Sequence, residues 1–353
     1  MNYIGSKKSL LEFIEKSINS VVKEKNYIFS DLFAGTWIVG RFFKEKGHKV
    51  IANDLQYYSF VLNKNYIENH KVLSFWALQN EIPELFVSDL HNTKNVVLDY
   101  LNNLEWKKWF IYKNYSPEWT KGKEFERMYF SNENAKKCDA IRQTIENWKK
   151  EELINENEYY FLLASLLESI DKVANTASVY GAFLKKFKKS AQNLMTLKPA
   201  EFYLNDNEHQ VFNKNINDLI LESSHDVVYL DPPYNHRQYS WNYHILETIA
   251  KWDNPKITWK TWMRDCSLQK SDYCKKWEVK KSFENLIKNI DAKYIFMSYN
   301  CEWLLSHQEI KEIMETRWKY WVFTKKYRRF KAWKDRKFKK DSVVEYLHYV
   351  EIK

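Results

Sequence analysis

The residues best suited to chemistry form one tetrapeptide: Asp231, Pro232, Pro233 and Tyr234. It directly follows the apolar run 227–230, which predicts a strand. Because ligands of open α/β sheets bind beyond the carboxyl ends of the strands, this position suits a reaction site. Asp231 and the Pro232 carbonyl can accept both N–H groups of an aromatic amine, which favours its attack on a methyl group. Tyr234 can stack on a nucleobase that is flipped out of a duplex.

The same four residues also fit a purely structural interpretation, in which a Pro-Pro turn ends the strand, Asp231 caps it and Tyr234 packs. The tetrapeptide alone does not distinguish the chemical interpretation from the structural one. A second motif favours the chemical one, because Asp31-Leu-Phe-Ala-Gly35 follows a predicted strand and precedes a helix, as a cofactor loop does. Asp54 ends the next predicted strand, where a carboxylate can bind ribose hydroxyls.

Hydrophobic periodicity predicts a β-α-β unit near the start of the chain, the building block of a parallel, doubly wound sheet. A helix at 10–22 precedes it, and its own elements are a strand at 27–33, a helix at 38–46 and a strand at 49–53. Strand patterns return at 226–230, 294–298 and 343–350. The predicted fold class is therefore α/β.

Residues 75–199 interrupt this pattern with charged, aromatic and helical stretches, and a loop is predicted at 112–124 around Ser116-Pro117. We therefore expect an inserted, mainly helical domain at 75–200. It separates two parts of one catalytic domain, residues 1–74 and 201–353.

Composition limits the class of protein and of partner. The 353 residues are 44% apolar and 29% charged, which is typical of a globular chain. The formal charge of +10 favours a polyanionic partner such as DNA, RNA or an acidic membrane surface. The four cysteines show no zinc-binding spacing, and no signal peptide or spanning segment is evident, so we expect a cytoplasmic protein.

Together these motifs resemble the Dam-like, alpha-group family of DNA adenine-N6 methyltransferases of restriction–modification systems. The segment from Asn2 to Lys7 looks like the family's N-terminal cofactor motif, 31–40 like its glycine loop, and Asp231 to Tyr234 like its catalytic tetrapeptide. The order of cofactor motifs, insertion and catalytic motif is that of the alpha group. The resemblance implies a Rossmann-like S-adenosylmethionine-dependent methyltransferase fold with a target-recognition domain in the insertion.

The resemblance also implies the roles of individual residues. Expected to bind S-adenosyl-L-methionine are Tyr3, Gly5, Lys7, Asp31, Phe33, Gly35, Asp54 and Asn215. Expected to contact DNA are Lys185, Lys186, Lys188, Lys189 and Arg237. The lysines alternate with aromatic residues, which suits phosphate contacts and stacking. The plainer alternatives are a solvated lysine at 7, a packing aromatic at 3 and a solvated face at 185–189. A second basic stretch at 325–340 either clamps DNA or keeps the protein soluble.

Position 37 departs from the family pattern, which has a glycine where this chain has Trp37. An indole there would block the close approach of the backbone to the cofactor. The chain has 15 tryptophans and 6 glycines, whereas average usage predicts about 25 glycines. We therefore hypothesise that some tryptophans, among them Trp262, Trp303 and Trp318, stand where a reassigned stop codon is read as glycine. The alternative is a truly tryptophan-rich protein, with or without activity.

Two further interpretations stay open at this point. The acceptor could be an RNA adenine or a protein glutamine amide, or the chain could bind nucleic acid without catalysis. Expected partners are double-stranded DNA and a cognate restriction endonuclease, with the protein acting as a monomer. No metal is required, since methyl transfer from a sulfonium is a direct displacement.

Overall fold

The computed structural model describes residues 5–233, 236–258, 261, 263–300, 304–328 and 342–352. The α-helices are α1 (Leu11–Val21), α2 (Ile38–Glu45), α3 (Tyr57–Asn63), α4 (Thr93–Asn102), α5 (Phe110–Tyr115), α6 (Pro117–Thr120), α7 (Asn132–Lys150), α8 (Glu156–Lys172), α9 (Ile216–Leu219), α10 (Tyr239–Asn242), α11 (His244–Lys251), α12 (Val279–Asn289) and α13 (His307–Glu315). The strands are β1 (Ile28–Asp31), β2 (Lys49–Asn53), β3 (Gln210–Phe212), β4 (Ser224–Leu230), β5 (Ile257–Thr258), β6 (Met263–Arg264), β7 (Asp291–Asn300), β8 (Tyr320–Arg328) and β9 (Ser342–Glu351). Short helical turns occupy Lys8–Leu10, Lys64–Glu68, Trp76–Leu78, Pro83–Phe86, Lys189–Gln192, Ser267–Gln269 and Asp272–Cys274.

Seven strands form one sheet in the order β3-β2-β1-β4-β7-β9-β8. The first five in this order are parallel, whereas β9 is antiparallel to both β7 and β8. The predicted β-α-β unit is confirmed, since β1 and β2 are joined by α2 and pair in parallel. The predicted later strands lie within β4, β7 and β9. The protein is therefore a mixed α/β fold with a largely parallel central sheet.

The sheet core follows from the sequence of its central strand. Residues 227–230 of β4 are all fully buried, as expected for a parallel strand covered on both faces. One apolar cluster joins β4 and β7 to the inward-facing side chains of α12 and α13, including Phe283, Leu286 and Ile310. Burial of these helix faces therefore fixes the carboxyl ends of β4 and β7.

The strand order reverses at β1, because β2 lies on one side of it and β4 on the other. In doubly wound sheets, ligands bind at the carboxyl ends of the strands at such a reversal. Asp31 is the last residue of β1 and pairs in register with Tyr229 of β4. The turn after β1 and the tetrapeptide after β4 therefore leave the sheet side by side.

The described residues divide into two compact units. The sheet unit contains the described parts of Ile4–Asn63, Asn207–Tyr239 and Leu268–Lys353. The helical unit contains Lys64–Asp206 and the described parts of Ser240–Ser267.

In the helical unit, Arg142 of α7 is fully buried and donates to the carbonyls of Ile249 and Ala250, at 2.8 and 3.1 Å. This contact satisfies carbonyls at the end of α11 and fixes α11 against α7.

Part of the predicted loop at 112–124 is wrong, because it contains the end of α5 and all of α6. The carboxylate of Asp139 accepts hydrogen bonds from the backbone N–H groups of Trp109, Ile111 and Tyr112, at 2.9–3.0 Å, and so caps α5. Pro117 begins α6, where its missing N–H costs nothing. No helix of the described chain is long and apolar enough to cross a membrane.

Candidate active site

The loop after β1 is anchored by the first of the predicted site carboxylates. Asp31 is 1% exposed, and its Oδ2 accepts a hydrogen bond from the N–H of Gly40 in α2, at 3.2 Å. Its Oδ1 is buried and has no hydrogen-bond partner among the described residues. Burial, reinforced by the nearby charge of Asp231, raises the pKa of Asp31 well above its usual value.

Gly35 gives the loop its tight turn, with φ of 47°. Its N–H donates to Oδ2 of Asp54 at 2.8 Å, while Oδ1 of Asp54 accepts from the N–H of Gln56 at 2.8 Å. The hydroxyl of Ser59 donates to the Gly35 carbonyl. The structure therefore brings the glycine turn and the carboxylate after β2 together, as their spacing predicts.

Buried Asn53 ties the neighbouring strand ends to one another. Its Nδ2 donates to the carbonyls of Leu32 and Lys214, at 3.3 and 3.1 Å, and its Oδ1 accepts from the N–H of Lys214 at 3.0 Å. Asn215 begins α9 as an N-cap, since its side chain accepts from the N–H of Asn217 at 3.0 Å. Asn215 thus follows β3 at the same sheet edge, where its side-chain amide oxygen caps the start of α9.

A buried ion cluster lies around Asp231. The ammonium of Lys7 is 3.1 Å from Oδ1 of Asp231 and 2.8 Å from Oε1 of Glu345, and Lys7 is 5% exposed. The hydroxyl of Ser298 donates to the same Oε1 at 2.6 Å. The alternative of a solvated lysine at position 7 is therefore wrong. Oδ1 of Asp231 is buried, and the Lys7 ammonium is its oppositely charged partner.

Opposing effects set the pKa of Asp231. Burial raises it, the ammonium of Lys7 lowers it and the carboxylate of Glu345 raises it again, to about 6. A carboxylate with this pKa is largely ionised at neutral pH and is a stronger proton acceptor than an ordinary aspartate. The side chain can therefore accept hydrogen bonds from a nearby amine under physiological conditions.

Of the rest of the tetrapeptide, the structure describes Pro232 and the half-buried Pro233. Pro232 is buried directly after Asp231, and Gln238 exchanges two hydrogen bonds with the backbone of Ser271, at 3.0 and 2.8 Å. Arg237 is exposed beside Gln238. Tyr234 and Tyr3 lie outside the described residues. Phe33 is half-buried and packs edge-on against Tyr273, at 5.0 Å between ring centroids.

The backbone at position 37 has the conformation expected of a glycine. Trp37 precedes α2 with φ of 59° and ψ of −5°, in the left-handed region, and is 5% exposed. A bulky residue there is a genuine outlier. The predicted conflict between sequence and loop geometry at this position is therefore visible in the structure.

Comparison with known proteins decides the family. The model of the D12 class N6 adenine-specific DNA methyltransferases matches residues 3–317. The chain belongs to this family. The resemblance inferred from the motifs is confirmed, and so is the predicted enzyme class, an adenine-specific DNA methyltransferase. The other acceptors, RNA adenine and a protein amide, and a purely binding role are not favoured.

Relatives of this D12 methyltransferase carry Type II names. The Type II methyltransferase M.NlaIII of Neisseria lactamica is 47% identical over 355 residues, which cover 99% of both chains. M.CviAII of Paramecium bursaria Chlorella virus 1 is 36% identical, over 100% of this chain and 98% of its own. M.FokI of Planomicrobium okeanokoites is 38% identical, but this chain spans only 52% of its length. No solved structure matches the chain.

The basic residues expected to contact DNA divide by exposure. Lys185, Lys186 and Lys189 are exposed in the helical unit. Lys188 is half-buried, and its ammonium donates to the Thr176 carbonyl at 2.9 Å. Lys188 therefore helps to hold the loop, whereas its three neighbours are accessible. The basic stretch at 325–340 lies mostly outside the described residues, as do Trp262 and Trp303.

Sequence reasoning missed two residues of this D12 methyltransferase site. Glu345 and Ser298 lie on β9 and β7, and their only signal is that each is a polar residue within a mostly apolar strand. Both are about 1% exposed. Buried polar side chains in a strand require partners, so such positions can be suspected from sequence but not paired from it.

Proposed function

We propose that this chain transfers the methyl group of S-adenosylmethionine to N6 of adenine at a specific site in DNA. The observation that carries the proposal is the position of Asp231, a mostly buried carboxylate held beside Lys7 at the carboxyl end of β4. The glycine loop after β1 lies beside it at the reversal of strand order. A methyl donor in that loop and an amine at Asp231 would therefore be neighbours.

The strand order and the loop geometry support a Rossmann-like methyltransferase fold that binds S-adenosylmethionine. Gly5 and Gly35 have positive φ values of 85° and 47°, which permit close backbone approach, and Phe33 is partly accessible for packing against the cofactor. The carboxylate of Asp54, at the carboxyl end of β2, suits hydrogen bonds from ribose hydroxyls. The buried, unpaired Oδ1 of Asp31 also fits a group that donates a proton or carries positive charge.

S-adenosylmethionine supplies an electrophilic methyl group and its own leaving group. The residues supply alignment and electrostatics. Asp231 and the carbonyl of Pro232 accept the two N–H bonds of the amine, which withdraws its lone pair from the aromatic ring. Because the methylated amine is acidic, Asp231 accepts hydrogen bonds first and a proton only late.

The helical unit supports an inserted target-recognition domain, which we assign to residues 75–200 between catalytic segments 1–74 and 201–353, although the described parts of 240–267 pack within the helical unit. Its exposed Lys185, Lys186 and Lys189 suit phosphate contacts, and the loop that carries them is ordered by buried Asn175. We assign Arg237, exposed just after the tetrapeptide, to the DNA backbone. Lys188 contributes through the loop rather than through a free ammonium.

In the cell, the methyltransferase would protect DNA from a restriction endonuclease that recognises the same site. The Type II names of its relatives support this role. We expect it to act in the cytoplasm. We also expect it to act as a monomer, because a single chain carries both the carboxylate cluster and the glycine loop.

The deciding experiment measures N6-methyladenine by mass spectrometry in unmethylated DNA incubated with S-adenosylmethionine. The unchanged chain and Trp37→Gly are tested together, with Asp231→Ala as the matched inactive control. We expect Asp231→Ala to abolish methylation while binding the cofactor nearly normally. Methylation by Asp231→Ala would refute the catalytic assignment. Absence of methylation from both other proteins would refute the proposed activity.

A further inference from the structure

Glu345 is a buried carboxylate outside both the tetrapeptide and the glycine loop. It lies on β9, 338 positions from Lys7 in the sequence, and is 1% exposed. A buried charge requires partners, and those of Glu345 include the Lys7 ammonium at 2.8 Å and the Ser298 hydroxyl at 2.6 Å. Both bonds reach the same oxygen, Oε1.

We propose that Glu345, supported by Ser298, is a positioning residue that holds the Lys7 ammonium beside Asp231. Glu345 does not touch the reacting atoms. It acts through Lys7, whose flexible stem would otherwise allow many positions of the ammonium. This inference rests on the proposed function, because it concerns the same reacting carboxylate.

The cluster also sets how readily Asp231 ionises. The described charged and titratable groups acting on it are Lys7, Glu345, Asp31 and Tyr229. Lys7 favours the ionised form, whereas Glu345 and Asp31 oppose it while they are charged. Because Glu345 shares the ammonium, Asp231 keeps more of its affinity for protons. Glu345 therefore adjusts Asp231 as well as placing Lys7.

Glu345→Gln tests both effects, because it removes the charge while keeping a side chain that can accept a hydrogen bond. The acidic limb of the methylation rate against pH should move to lower pH by several tenths of a unit to about one unit. Glu345→Ala also releases Lys7, and kcat should fall about ten-fold or more with little change in KM for the cofactor. The control is Glu351→Gln, an exposed carboxylate on the same strand, which should leave kcat and the pH profile unchanged.

A second readout does not depend on activity. The pH above which the difference in unfolding free energy between the unchanged protein and Asp231→Asn stops growing reports the pKa of Asp231 in the folded state. This pH should be lower in a Glu345→Gln background. An unchanged pH would overturn the coupling between Glu345 and Asp231. A lowered pH in a protein that methylates nothing would instead refute the proposed function alone.

A separate observation concerns the tryptophans. Of the eleven described, Trp37 and Trp252 have left-handed backbones, with φ of 59° and 53°. Trp252 follows α11, and its N–H donates to the Thr248 carbonyl at 3.0 Å, the pattern in which helices end on glycine. The φ of Trp318, 159°, is close to that of extended backbone, which any residue adopts.

Exposure of the tryptophans is equally unusual, because tryptophan is highly buried on average. Eight are at least 41% exposed: Trp76, Trp106, Trp109, Trp119, Trp241, Trp277, Trp318 and Trp321. Trp148 differs from all of these, since it is 2% exposed and its indole N–H donates to Glu81 at 2.6 Å. The indole of Trp148 therefore has a buried hydrogen-bonding role, whereas the eight exposed indoles lie largely in solvent.

We infer that positions 37 and 252 carry glycine in the protein made by its own cells, through a stop codon read as glycine. Tandem mass spectrometry of the protein purified from those cells should find glycine at 37 and 252 and tryptophan at 148. The gene should carry the reassigned codon at the first two positions and the ordinary tryptophan codon at 148. Tryptophan in the peptides covering 37 and 252 would overturn the inference.

Discussion

Replacing Asp231 by asparagine should stabilise the folded protein at neutral and alkaline pH. The side chain is 18% exposed, and its pKa is raised from 3.8 to about 6 by burial, with the charge of Lys7 only partly compensating. A raised pKa means that the folded state disfavours the ionised carboxylate relative to the unfolded chain. Asparagine has nearly the same shape and resembles the neutral acid, so it avoids this cost.

The magnitude follows from the two pKa values. The difference between 3.8 and about 6 corresponds to about 3 kcal/mol of unfolding free energy at pH 7 and above. Between these two pH values the folded state binds more protons than the unfolded state, so stability falls as pH rises. Below about pH 4 Asp231 is protonated in both states, and the advantage of asparagine should disappear.

Urea unfolding of both proteins at about pH 8 and about pH 4 measures the effect directly. We expect Asp231→Asn to be more stable by up to about 3 kcal/mol at the higher pH and equal within about 0.5 kcal/mol at the lower. Asp218→Asn, an exposed carboxylate of α9, should change little at either pH. A destabilised Asp231→Asn protein at pH 8 would refute the reasoning, since it would mean that the Lys7 ion pair outweighs the cost of burial.

Three further predictions address reaction, DNA binding and folding. The methylation rate should fall about ten-fold between pH 7 and pH 5, because Asp231 is protonated below a pKa of about 6; a flat profile would argue against an ionised Asp231. Alanine at Lys185, Lys186 and Lys189 together should weaken DNA binding and reduce its log–log salt slope by about 0.9 per lysine, with cofactor affinity from calorimetry unchanged. Trp252→Gly should unfold at the same or a higher temperature, since relief of about 1 kcal/mol of left-handed strain offsets a lost contact with Arg142; a drop of several degrees would contradict it.

The sequence predicts the elements whose patterns are local. The strand expected at 49–53 matches β2, and the helix expected at 38–46 ends one residue earlier as α2. β3 and β8 were not predicted. β3 has only three residues, and β8 is an edge strand in which the lysines at 325 and 326 interrupt the apolar pattern. Both depend on pairing with a neighbour more than on their own composition.

The site residues also divide into those that local patterns predict and those that depend on long-range pairing. The glycine turn and the carboxylates at 31, 54 and 231 could be predicted, because each directly follows a strand and parallel strands place such residues at one edge. The ion cluster could not, since its members come from the start of the chain, from β7 and from β9. Its partners meet only through the antiparallel pairing of the last strands, which periodicity does not specify.

The charges of the cluster suit the proposed donor better than they suit the stability of the protein. Burial, reinforced by repulsion between Asp31 and Asp231 and between Asp231 and Glu345, raises the pKa values of Asp31 and Asp231, while the Lys7 ammonium contacts Asp231 and Glu345. A sulfonium bound at the glycine loop would add a positive charge. An amine would add N–H donors at Asp231. The chain as a whole carries a formal charge of +10, which attracts DNA. The acidic cluster around Asp231 and the basic chain as a whole have opposite signs because they serve different ligands.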